Sequence, residues 1–216
     1  MSDNRSETLT GSVDVGFPEF VTPPPEPTGL LRHWLKEAQR LGVREPRALA
    51  LATADARGRP SSRILVAGEV TERGIVFISH EGSRKGRDLA ENPWASGVLY
   101  WRETSQQVVV AGPVGRLSRA ETEKLWQARP VFTHAMTTAA RQSEPLADLQ
   151  HVAELRDRAR QLGESGQSLP MPDTFAAYEL RIDSVEFWAK GTDRLHERLR
   201  YDIEGDGTWH ISRLQP

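Results

Sequence analysis

Basic side chains at the start of a predicted helix are the first feature of this sequence that could do chemistry. The stretch HEGSRKGRDL places Ser83, Arg84 and Lys85 between a predicted strand and a predicted helix. Free backbone N–H groups at a helix start, together with a hydroxyl and two cations, suit a phosphate group. Alternatively, Ser83 only caps the helix and the basic residues are solvated. Spacing alone leaves both interpretations open.

Two polar residues in otherwise apolar predicted strands point the same way. Arg63 lies within SRILVAG, where a charge is costly to bury unless it is paired, so it predicts a nearby anion or carboxylate. Gln107 heads the apolar strand QQVVV, where its amide could face the edge of a heterocycle. The alternative for Gln107 is a polar strand end. Both positions are compatible with a flat ring that carries a phosphate.

The C-terminal segment EFWAKGTDRLHERLRYD concentrates basic and aromatic residues. It contains Trp188, Arg194, His196 and Arg198. Residues two apart share a face of an extended strand, so Arg194, His196 and Arg198 are predicted to lie on one face. That arrangement favours a site for an anion and a flat ring, whereas a solvated charged face is the alternative.

The familiar catalytic motifs do not occur in this sequence. HExxH, GxSxG and a P-loop or GxGxxG between strand and helix are missing, and the six histidines are scattered, so no metal site is predicted. The lack of cysteine rules out a thiol nucleophile and fits a cytoplasmic location, which is our expectation. A non-covalent cofactor with a phosphate and a flat ring would carry the chemistry itself, and FMN is the leading candidate.

Net charge and the distribution of apolar residues argue against several other classes of protein. A net charge of −2 argues against nucleic-acid binding, and no apolar run approaches the ~20 residues that cross a membrane. The first residues lack the apolar region of a signal peptide. Residues 1–27 contain TPPPEP and few apolar side chains, and we predict a flexible N-terminal arm there, followed by one domain over 28–216.

The elements that must position these residues are mainly β. An amphipathic helix is predicted over 29–43, and five short apolar runs with intervening turn signals follow between residues 48 and 117. Their spacing indicates an antiparallel barrel or sandwich, interrupted by a helix over 83–92. Two flanking helices joined by a loop are predicted next. The last four strands are predicted near 175–182, 184–190, 196–203 and 208–214.

Several short motifs in a fixed order resemble those of a known family. They are RILVAG (63–68), GSRKGRDLAENPWAS (82–96), QQVVVAG (106–112), ARP (128–130), RQSE (141–144) and RLQP (213–216). Together with the C-terminal segment they resemble the pyridoxamine 5′-phosphate oxidase family over residues 28–216. The resemblance implies an FMN-binding split β-barrel of antiparallel strands that forms a homodimer, with two FMN sites at the interface and each site built from both chains.

The resemblance also implies roles for individual positions. The matching phosphate and ribityl contacts are Arg63, Ser79, Arg84, Lys85 and Ser143. The matching ring contacts are Gln107, Gln142, Trp188 and Arg198. Other cofactor contacts fall at Ile64, Leu65, Val66 and Ile78. The matching substrate positions are Gly68, Leu125, Arg129, Thr133, Arg194 and His196. The partner subunit would supply Gln142, Ser143, Trp188 and Arg198.

Two substrate positions depart from the vitamin B6 enzymes of the family. Those enzymes carry a lysine where this chain has Gly68 and a tyrosine where it has Leu125, and both help to hold the substrate phosphate. Losing such charge-assisted contacts removes ~1.5–3 kcal/mol each, on the order of a hundredfold or more in affinity. Arg129, Arg194 and His196 remain and suit the carboxylates of a larger, flatter substrate.

This pattern resembles one branch of the family, the flavin-dependent oxidases of phenazine biosynthesis. The segments VLYWRETSQQ (98–107) and REPRALALATAD (44–55) contribute to that resemblance. It implies aromatisation of reduced phenazine carboxylates, such as hexahydrophenazine-1,6-dicarboxylate and tetrahydrophenazine-1-carboxylate. A hydride would pass to flavin N5, and O2 would be the acceptor and give H2O2. His196 is the candidate proton relay. The alternatives are a pyridoxamine or pyridoxine phosphate oxidase and a non-catalytic flavin-binding protein.

Overall fold

A branched antiparallel sheet organises the chain in the structure, a computed structural model that describes residues 11–191 and 195–216. The helices of these residues are α1 (Pro27–Arg40), α2 (Arg84–Glu91), α3 (Arg119–Gln127), α4 (Phe132–Ala139) and α5 (Leu149–Gly163). The strands are β1 (Ala48–Ala54), β2 (Pro60–Val66), β3 (Gly74–His80), β4 (Trp94–Trp101), β5 (Gln106–Arg116), β6 (Phe175–Arg181), β7 (Ser184–Ala189), β8 (Glu197–Ile203) and β9 (Trp209–Arg213).

The long strand β5 is the point at which the sheet divides. The main path runs β2-β1-β4-β5-β7-β8-β9, while the end of β5, from Val114 to Arg116, pairs instead with β6, which also pairs with β3. Gly112 precedes this branch, and a Cβ there would lie 2.0 Å from the Arg181 carbonyl oxygen. Only glycine therefore allows the two strands to approach so closely. The division produces the predicted split barrel, with helices at its margins.

The core lies on one face of the sheet, under α1. Strands β1, β4, β5, β7 and β8 alternate between buried and more exposed residues, as strands with one covered face do. At the centre, the Trp34 ring of α1 contacts the rings of Phe17, Trp101 and Phe187 at centroid distances of 4.8, 6.2 and 5.2 Å. The strand alternation and the apolar stripe of α1 thus meet in a single aromatic core.

The opposite side of β2, β1, β4, β5, β7 and β8 forms an exposed sheet face. Ile64 and Val66 of β2 are 65% and 69% exposed there, and Tyr100 of β4 is 47% exposed. Strand register puts these residues on the side away from buried Leu49 and Leu99. An apolar surface that extends over neighbouring strands is typical of an interaction site.

Residues 11–26 lie against the domain ahead of α1. The Phe17 side chain is buried against Trp34, and Arg213 donates hydrogen bonds to the carbonyl oxygens of Phe20 and Val21. The Tyr201 hydroxyl donates to the Pro24 carbonyl oxygen. The rest of the predicted arm, residues 1–10, lies outside the described residues, and the division of the chain at residue 27 stays a prediction.

Helix α4 occupies a segment that the sequence predicts as a loop. Its Ala135 and Ala139 pack against Ala159 of α5 in a small apolar cluster separate from the main core. Phe132–Ala139 contains three threonines, which have low helix propensity, so the sequence signal is weak and packing against α5 decides the conformation. No helix of the described residues is long and apolar enough to cross a membrane.

Candidate functional site

The start of α2 forms an anion pocket. Ser83 caps the helix, because its hydroxyl accepts a hydrogen bond from the Gly86 backbone N–H at 3.2 Å. The Lys85 ammonium donates to Ser79 Oγ at 2.9 Å, to Ser83 Oγ at 3.3 Å and to Gln142 Oε1 at 3.1 Å. The pocket therefore brings together the end of β3, the first turn of α2 and the loop after α4.

The Lys85 ammonium is buried without a compensating negative charge. The residue is 7% exposed, and its hydrogen bonds in the described part of the chain go to hydroxyl and amide oxygens. Burial, and then repulsion by Arg63, lower the pKa of Lys85 to about 8. A buried cation of this kind is costly until an anion pairs with it, so the pocket has the charge and geometry for a phosphate.

The Arg63 side chain extends from the face of β2 opposite Ile64 toward α2, the helix that forms the anion pocket. Its Nη1 donates to the Leu51 carbonyl oxygen at 3.2 Å and to Thr53 Oγ1 at 2.8 Å, and its Nη2 donates to Ser61 Oγ at 2.6 Å. Burial lowers the pKa of Arg63, against the attraction of Asp88, whose carboxylate lies 3.8 Å from Nη2. The polar partner that the sequence predicted for this arginine therefore exists, although Asp88 itself was not anticipated.

Gln142 and Ser143 reach the anion pocket within a single chain. Gln142 Oε1 accepts from Lys85 and from Ser79 Oγ, and Ser143 Oγ accepts from the Arg84 backbone N–H at 3.2 Å. Ser143 has φ of 69°, the left-handed conformation that a non-glycine residue adopts at some cost. Both residues therefore reach the pocket of their own chain, and their contribution to the site of a partner subunit stays a prediction.

The predicted ring contacts Gln107, Trp188 and Arg198 stand side by side on the exposed sheet face and are called the ring row. Gln107 of β5 pairs with Trp188 of β7, which pairs with Arg198 of β8. Ile64 and Val66 share this face but lie on β2, five strand spacings from β8. At about 4.8 Å per spacing, roughly 24 Å of sheet separates Arg198 from Ile64, whereas about 14 Å separates Gln107 from Ile64. Arg198 and Ile64 of one chain therefore lie at distant positions on this face.

Arg198 is held in the ring row by a buried carboxylate. Its Nε donates to Glu186 Oε1 at 2.8 Å, and its Nη1 donates to the Gln215 carbonyl oxygen at 2.9 Å. The hydrogen bond to Glu186 raises the pKa of Arg198. The guanidinium is therefore charged and fixed in orientation beside Trp188, as a group that contacts a ring edge must be.

The predicted triplet of Arg194, His196 and Arg198 lies only partly within the described residues. Strand β8 begins at Glu197, so His196 precedes it, and Arg194 lies outside the described residues. The His196 ring lies 4.7 Å from the Trp188 ring, and its buried Nδ1 has no hydrogen-bond partner among the described residues. His196 thus adjoins the ring row with a free ring nitrogen.

Arg129, a predicted substrate residue, sits in an aromatic cage. Its guanidinium lies 5.5 Å from the Trp126 ring centroid and 5.2 Å from that of Phe175, and Nη2 donates to Thr137 Oγ1. Burial lowers the pKa of Arg129, and its interactions in the described residues include no carboxylate. A rigid, partly dehydrated cation of this kind suits an incoming carboxylate.

His80 was missed by the sequence reasoning. Burial and then the charges of Lys85 and Arg129 lower its pKa, so the imidazole lies near both the anion pocket and the aromatic cage. Its Nδ1 is 3.2 Å from Thr174 Oγ1. The sequence signal was slight, since His80 is only the last residue of a buried strand. Its position links the two predicted anion-binding groups.

Gly68 has no room for a side chain. Its N–H donates to the Val76 carbonyl oxygen at 2.8 Å, and a Cβ at residue 68 would lie 2.8 Å from that same oxygen. The Arg47 guanidinium also donates to the carbonyl oxygens of Ala67 and Gly68. A lysine at this position, as in the vitamin B6 enzymes, would require the backbone to move.

The remaining residues that were predicted to contact cofactor or substrate are half-buried or form local hydrogen bonds. Leu65 is half-buried and packs against the main core, and Ile78 of β3 is half-buried as well. Leu125 is half-buried on α3. The Thr133 hydroxyl donates to the Pro130 carbonyl oxygen at 2.8 Å. These residues provide apolar walls or are hydrogen-bonded locally, and their roles stay predictions.

The branched antiparallel sheet, the anion pocket and the exposed sheet face together define a split barrel of the pyridoxamine phosphate oxidase type. The family described as pyridoxamine 5′-phosphate oxidase matches residues 35–150, and the pyridoxine 5′-phosphate oxidase C-terminal dimerisation region matches residues 175–216. The chain therefore belongs to the pyridoxamine 5′-phosphate oxidase family.

Several relatives within the family are similar to this chain over most or all of its length. A dihydrophenazinedicarboxylate synthase of Pseudomonas chlororaphis is 52% identical over 100% of this chain and 96% of its own length. One of Burkholderia lata is 49% identical over the full length of both. The crystal structure of PhzG from Burkholderia lata in complex with tetrahydrophenazine-1-carboxylic acid has a TM-score of 0.91 and 48% identity, covering 95% of this chain and 100% of that one. A pyridoxine/pyridoxamine 5′-phosphate oxidase of Janthinobacterium is 38% identical over 89% of this chain and 90% of its own.

Proposed function

We propose that this protein is an FMN-dependent oxidase that aromatises reduced tricyclic phenazine carboxylates, such as hexahydrophenazine-1,6-dicarboxylate and tetrahydrophenazine-1-carboxylate. The observation that carries the proposal is Gly68, which leaves no space for the phosphate-binding lysine of the vitamin B6 enzymes. The relatives named dihydrophenazinedicarboxylate synthase support it, since they are 52% and 49% identical, against 38% for a pyridoxine/pyridoxamine 5′-phosphate oxidase.

The anion pocket fits the phosphate of FMN. Lys85 offers a buried positive charge, Ser79, Ser83 and Ser143 offer hydroxyls, and the helix start offers its partial positive charge. When bound, the flavin supplies the redox chemistry by accepting a hydride at N5 and returning electrons to O2, which leaves as H2O2. The chain itself binds, orients and shields the reactants.

Arg129 would bind a carboxylate of the substrate. Its guanidinium is held by the Trp126 and Phe175 rings and by Thr137, so little further ordering is required when the substrate arrives. Partial burial strengthens its attraction for an anion because little water screens the charge. Arg129 therefore contributes by positioning the tricyclic ring rather than by transferring a proton.

His196 is the candidate for moving a proton. Its Nδ1 is buried and without a partner in the described residues, and its ring adjoins Trp188. Aromatisation removes a proton for each hydride, and an imidazole nitrogen without a hydrogen-bond partner can accept it. Arg194 would anchor a second carboxylate, although it lies outside the described residues.

A homodimer would complete the site. The exposed sheet face supplies an apolar contact surface, and residues 175–216 match a dimerisation region. In such a dimer, Trp188 and Arg198 of one chain would meet the Ile64 and Val66 side of the partner, since roughly 24 Å of sheet separates Arg198 from Ile64 within one chain. One chain would supply Arg63, Lys85 and Gln107, and the other would supply Trp188 and Arg198.

A visible spectrum followed by anaerobic turnover tests this proposal. The purified protein should show the absorption of bound flavin, bleach on anaerobic addition of a reduced phenazine carboxylate, and recover its colour in air. Pyridoxamine 5′-phosphate at equal concentration should bleach it far more slowly. Faster bleaching by pyridoxamine 5′-phosphate would make the protein a vitamin B6 oxidase, and bound flavin that no substrate bleaches would indicate a flavin-binding protein without turnover.

A further inference from the structure

Two hydroxyl groups connect Arg63 to a buried carboxylate. Thr53 Oγ1 accepts from Arg63 Nη1 at 2.8 Å and donates to Asp88 Oδ2 at 2.6 Å. Ser61 Oγ accepts from Arg63 Nη2 at 2.6 Å and donates to the same Asp88 oxygen at 3.0 Å. The two arms of the guanidinium fork are thus each joined to one carboxylate oxygen through a hydroxyl. We call these three residues, Thr53, Ser61 and Asp88, the hydroxyl relay.

The relay is rigid because three elements build it. Thr53 of β1 and Ser61 of β2 are cross-strand partners, so the sheet register sets the distance between their hydroxyls. Asp88 lies on α2, one turn after Lys85, and is 5% exposed. The relay therefore fixes the orientation of Arg63 relative to the helix that forms the anion pocket.

The relay holds Arg63 through hydroxyl groups, so the Asp88 carboxylate does not form a direct hydrogen bond with the guanidinium. The nearest guanidinium nitrogen is 3.8 Å from Asp88 Oδ2, because the hydroxyls take the short hydrogen bonds. Arg63 Nη1 also donates to the Leu51 carbonyl oxygen, so the inner edge of the guanidinium is occupied. These bonds use both N–H groups of Nη1 and one of Nη2, so Nε–H and the second N–H of Nη2 have no partner among the described residues and can bind an anion. Arg63 is thus oriented and still cationic.

We propose that Thr53, Ser61 and Asp88 are positioning residues that hold Arg63 for the phosphate of FMN and thereby set the preference for FMN over riboflavin. This inference rests on the proposed binding of FMN. The residues act through Arg63 and do not themselves contact the cofactor. They are separated from Arg63 by up to 25 positions in the sequence.

The charge-neutral variant Thr53→Val gives the cleanest test. It removes one hydroxyl of the relay and keeps the shape of the side chain. Flavin fluorescence titration of the apoprotein should show FMN affinity reduced about tenfold, the effect of losing a charge-assisted hydrogen bond, with riboflavin affinity unchanged. Thr53→Ser, which keeps the hydroxyl, should restore the affinity for FMN. Ser61→Ala should repeat the result of Thr53→Val and serves in its place if Thr53→Val does not fold.

Asp88→Asn and Asp88→Ala together separate positioning from simple electrostatics. Both remove the negative charge beside the pocket, which would strengthen phosphate binding if Asp88 only damped the local field. Asp88→Asn keeps an oxygen that can accept from both hydroxyls, since both donate to the single oxygen Asp88 Oδ2, whereas Asp88→Ala keeps no acceptor. Positioning therefore predicts a weaker affinity for FMN in Asp88→Ala but not in Asp88→Asn, and tighter FMN binding by Asp88→Ala would overturn the inference.

Thr71→Val provides a matched control elsewhere in the fold. Thr71 Oγ1 donates to the buried Glu179 carboxylate at 2.8 Å, so this variant loses a hydroxyl–carboxylate bond of the same kind. It should lower stability without changing the ratio of FMN to riboflavin affinity. Equal weakening of both flavins by Thr53→Val would show a merely structural role. Failure of the unmodified protein to bind either flavin would instead refute the proposed function.

Discussion

The anion pocket and the exposed sheet face differ in how complete each is within one chain. In the pocket, Lys85 is buried and already hydrogen-bonded to residues of three segments. On the sheet face, Ile64 and Val66 are more than half exposed, and the ring row is far from them. The anion pocket is thus complete within one chain, whereas the exposed sheet face presents apolar side chains that one chain leaves uncovered.

The largest expected effect comes from a charge placed on the exposed sheet face. Ile64→Glu should raise the dimer dissociation constant about a thousandfold, because an unpaired carboxylate would be buried at the interface. Sedimentation measures this directly. Val21→Glu is the matched control, since Val21 is 74% exposed on the arm that packs against α1, on the other side of the sheet. A dimer that survives Ile64→Glu would assign the interface to another surface.

Replacing Lys85 removes the buried cation and tests whether the anion pocket of one chain binds the phosphate. Lys85→Met should weaken FMN binding about a hundredfold through the lost charge-assisted contacts, while the dimer persists. Flavin titration and sedimentation of the same sample give both readouts. Lys36→Met removes an exposed lysine of α1 and should change neither. Unchanged FMN affinity in Lys85→Met would place the phosphate elsewhere.

Arg129 separates substrate binding from cofactor binding. Arg129→Ala should raise KM for the tricyclic acid about tenfold or more and leave flavin content unchanged, because the guanidinium lies in the aromatic cage rather than the pocket. Steady-state kinetics with a flavin spectrum measures both. The control is Arg119→Ala, which removes an exposed arginine at the start of α3 that is paired with Asp173. Loss of FMN in Arg129→Ala would show that the residue serves the cofactor.

The smallest expected effect is on how the unfolding free energy of the cofactor-free protein depends on pH. Burial lowers the pKa of Lys85 to about 8 in the folded state, from the ordinary lysine value of 10.5. Between these values the unfolded state binds more protons, so the unfolding free energy should rise with pH, by at most ~1.4 kcal/mol per unit. Below pH 8 both states are protonated, and the dependence disappears.

Denaturant titrations across this range measure the contribution of Lys85 as the difference between the unmodified protein and Lys85→Met. The rise should be absent from Lys85→Met, and bound FMN should remove it, because a phosphate keeps the ammonium charged. A parallel pH dependence in both proteins would mean that other groups cause it.

Much of the fold could be predicted from the sequence. Alternation of apolar residues predicts the strands, and Ser83 with Pro93 brackets α2, because these signals are local. Helix α4 could not be predicted, since its conformation depends on packing against α5. The contacts of Gln142 and Ser143 with the start of α2 could not be predicted either, because the path of the loop after α4 is a tertiary property.

By itself, the sequence determined which chemistry is available: a helix start with hydroxyls and cations, a basic C-terminal segment and no nucleophile of its own. These features depend on residue types and near neighbours. Only the tertiary structure decided that Arg63 is tied to Asp88 through two hydroxyls, and that Ile64 and Arg198 lie five strand spacings apart on one sheet face. Strand register and helix packing set those distances, and they join residues that are far apart in the chain.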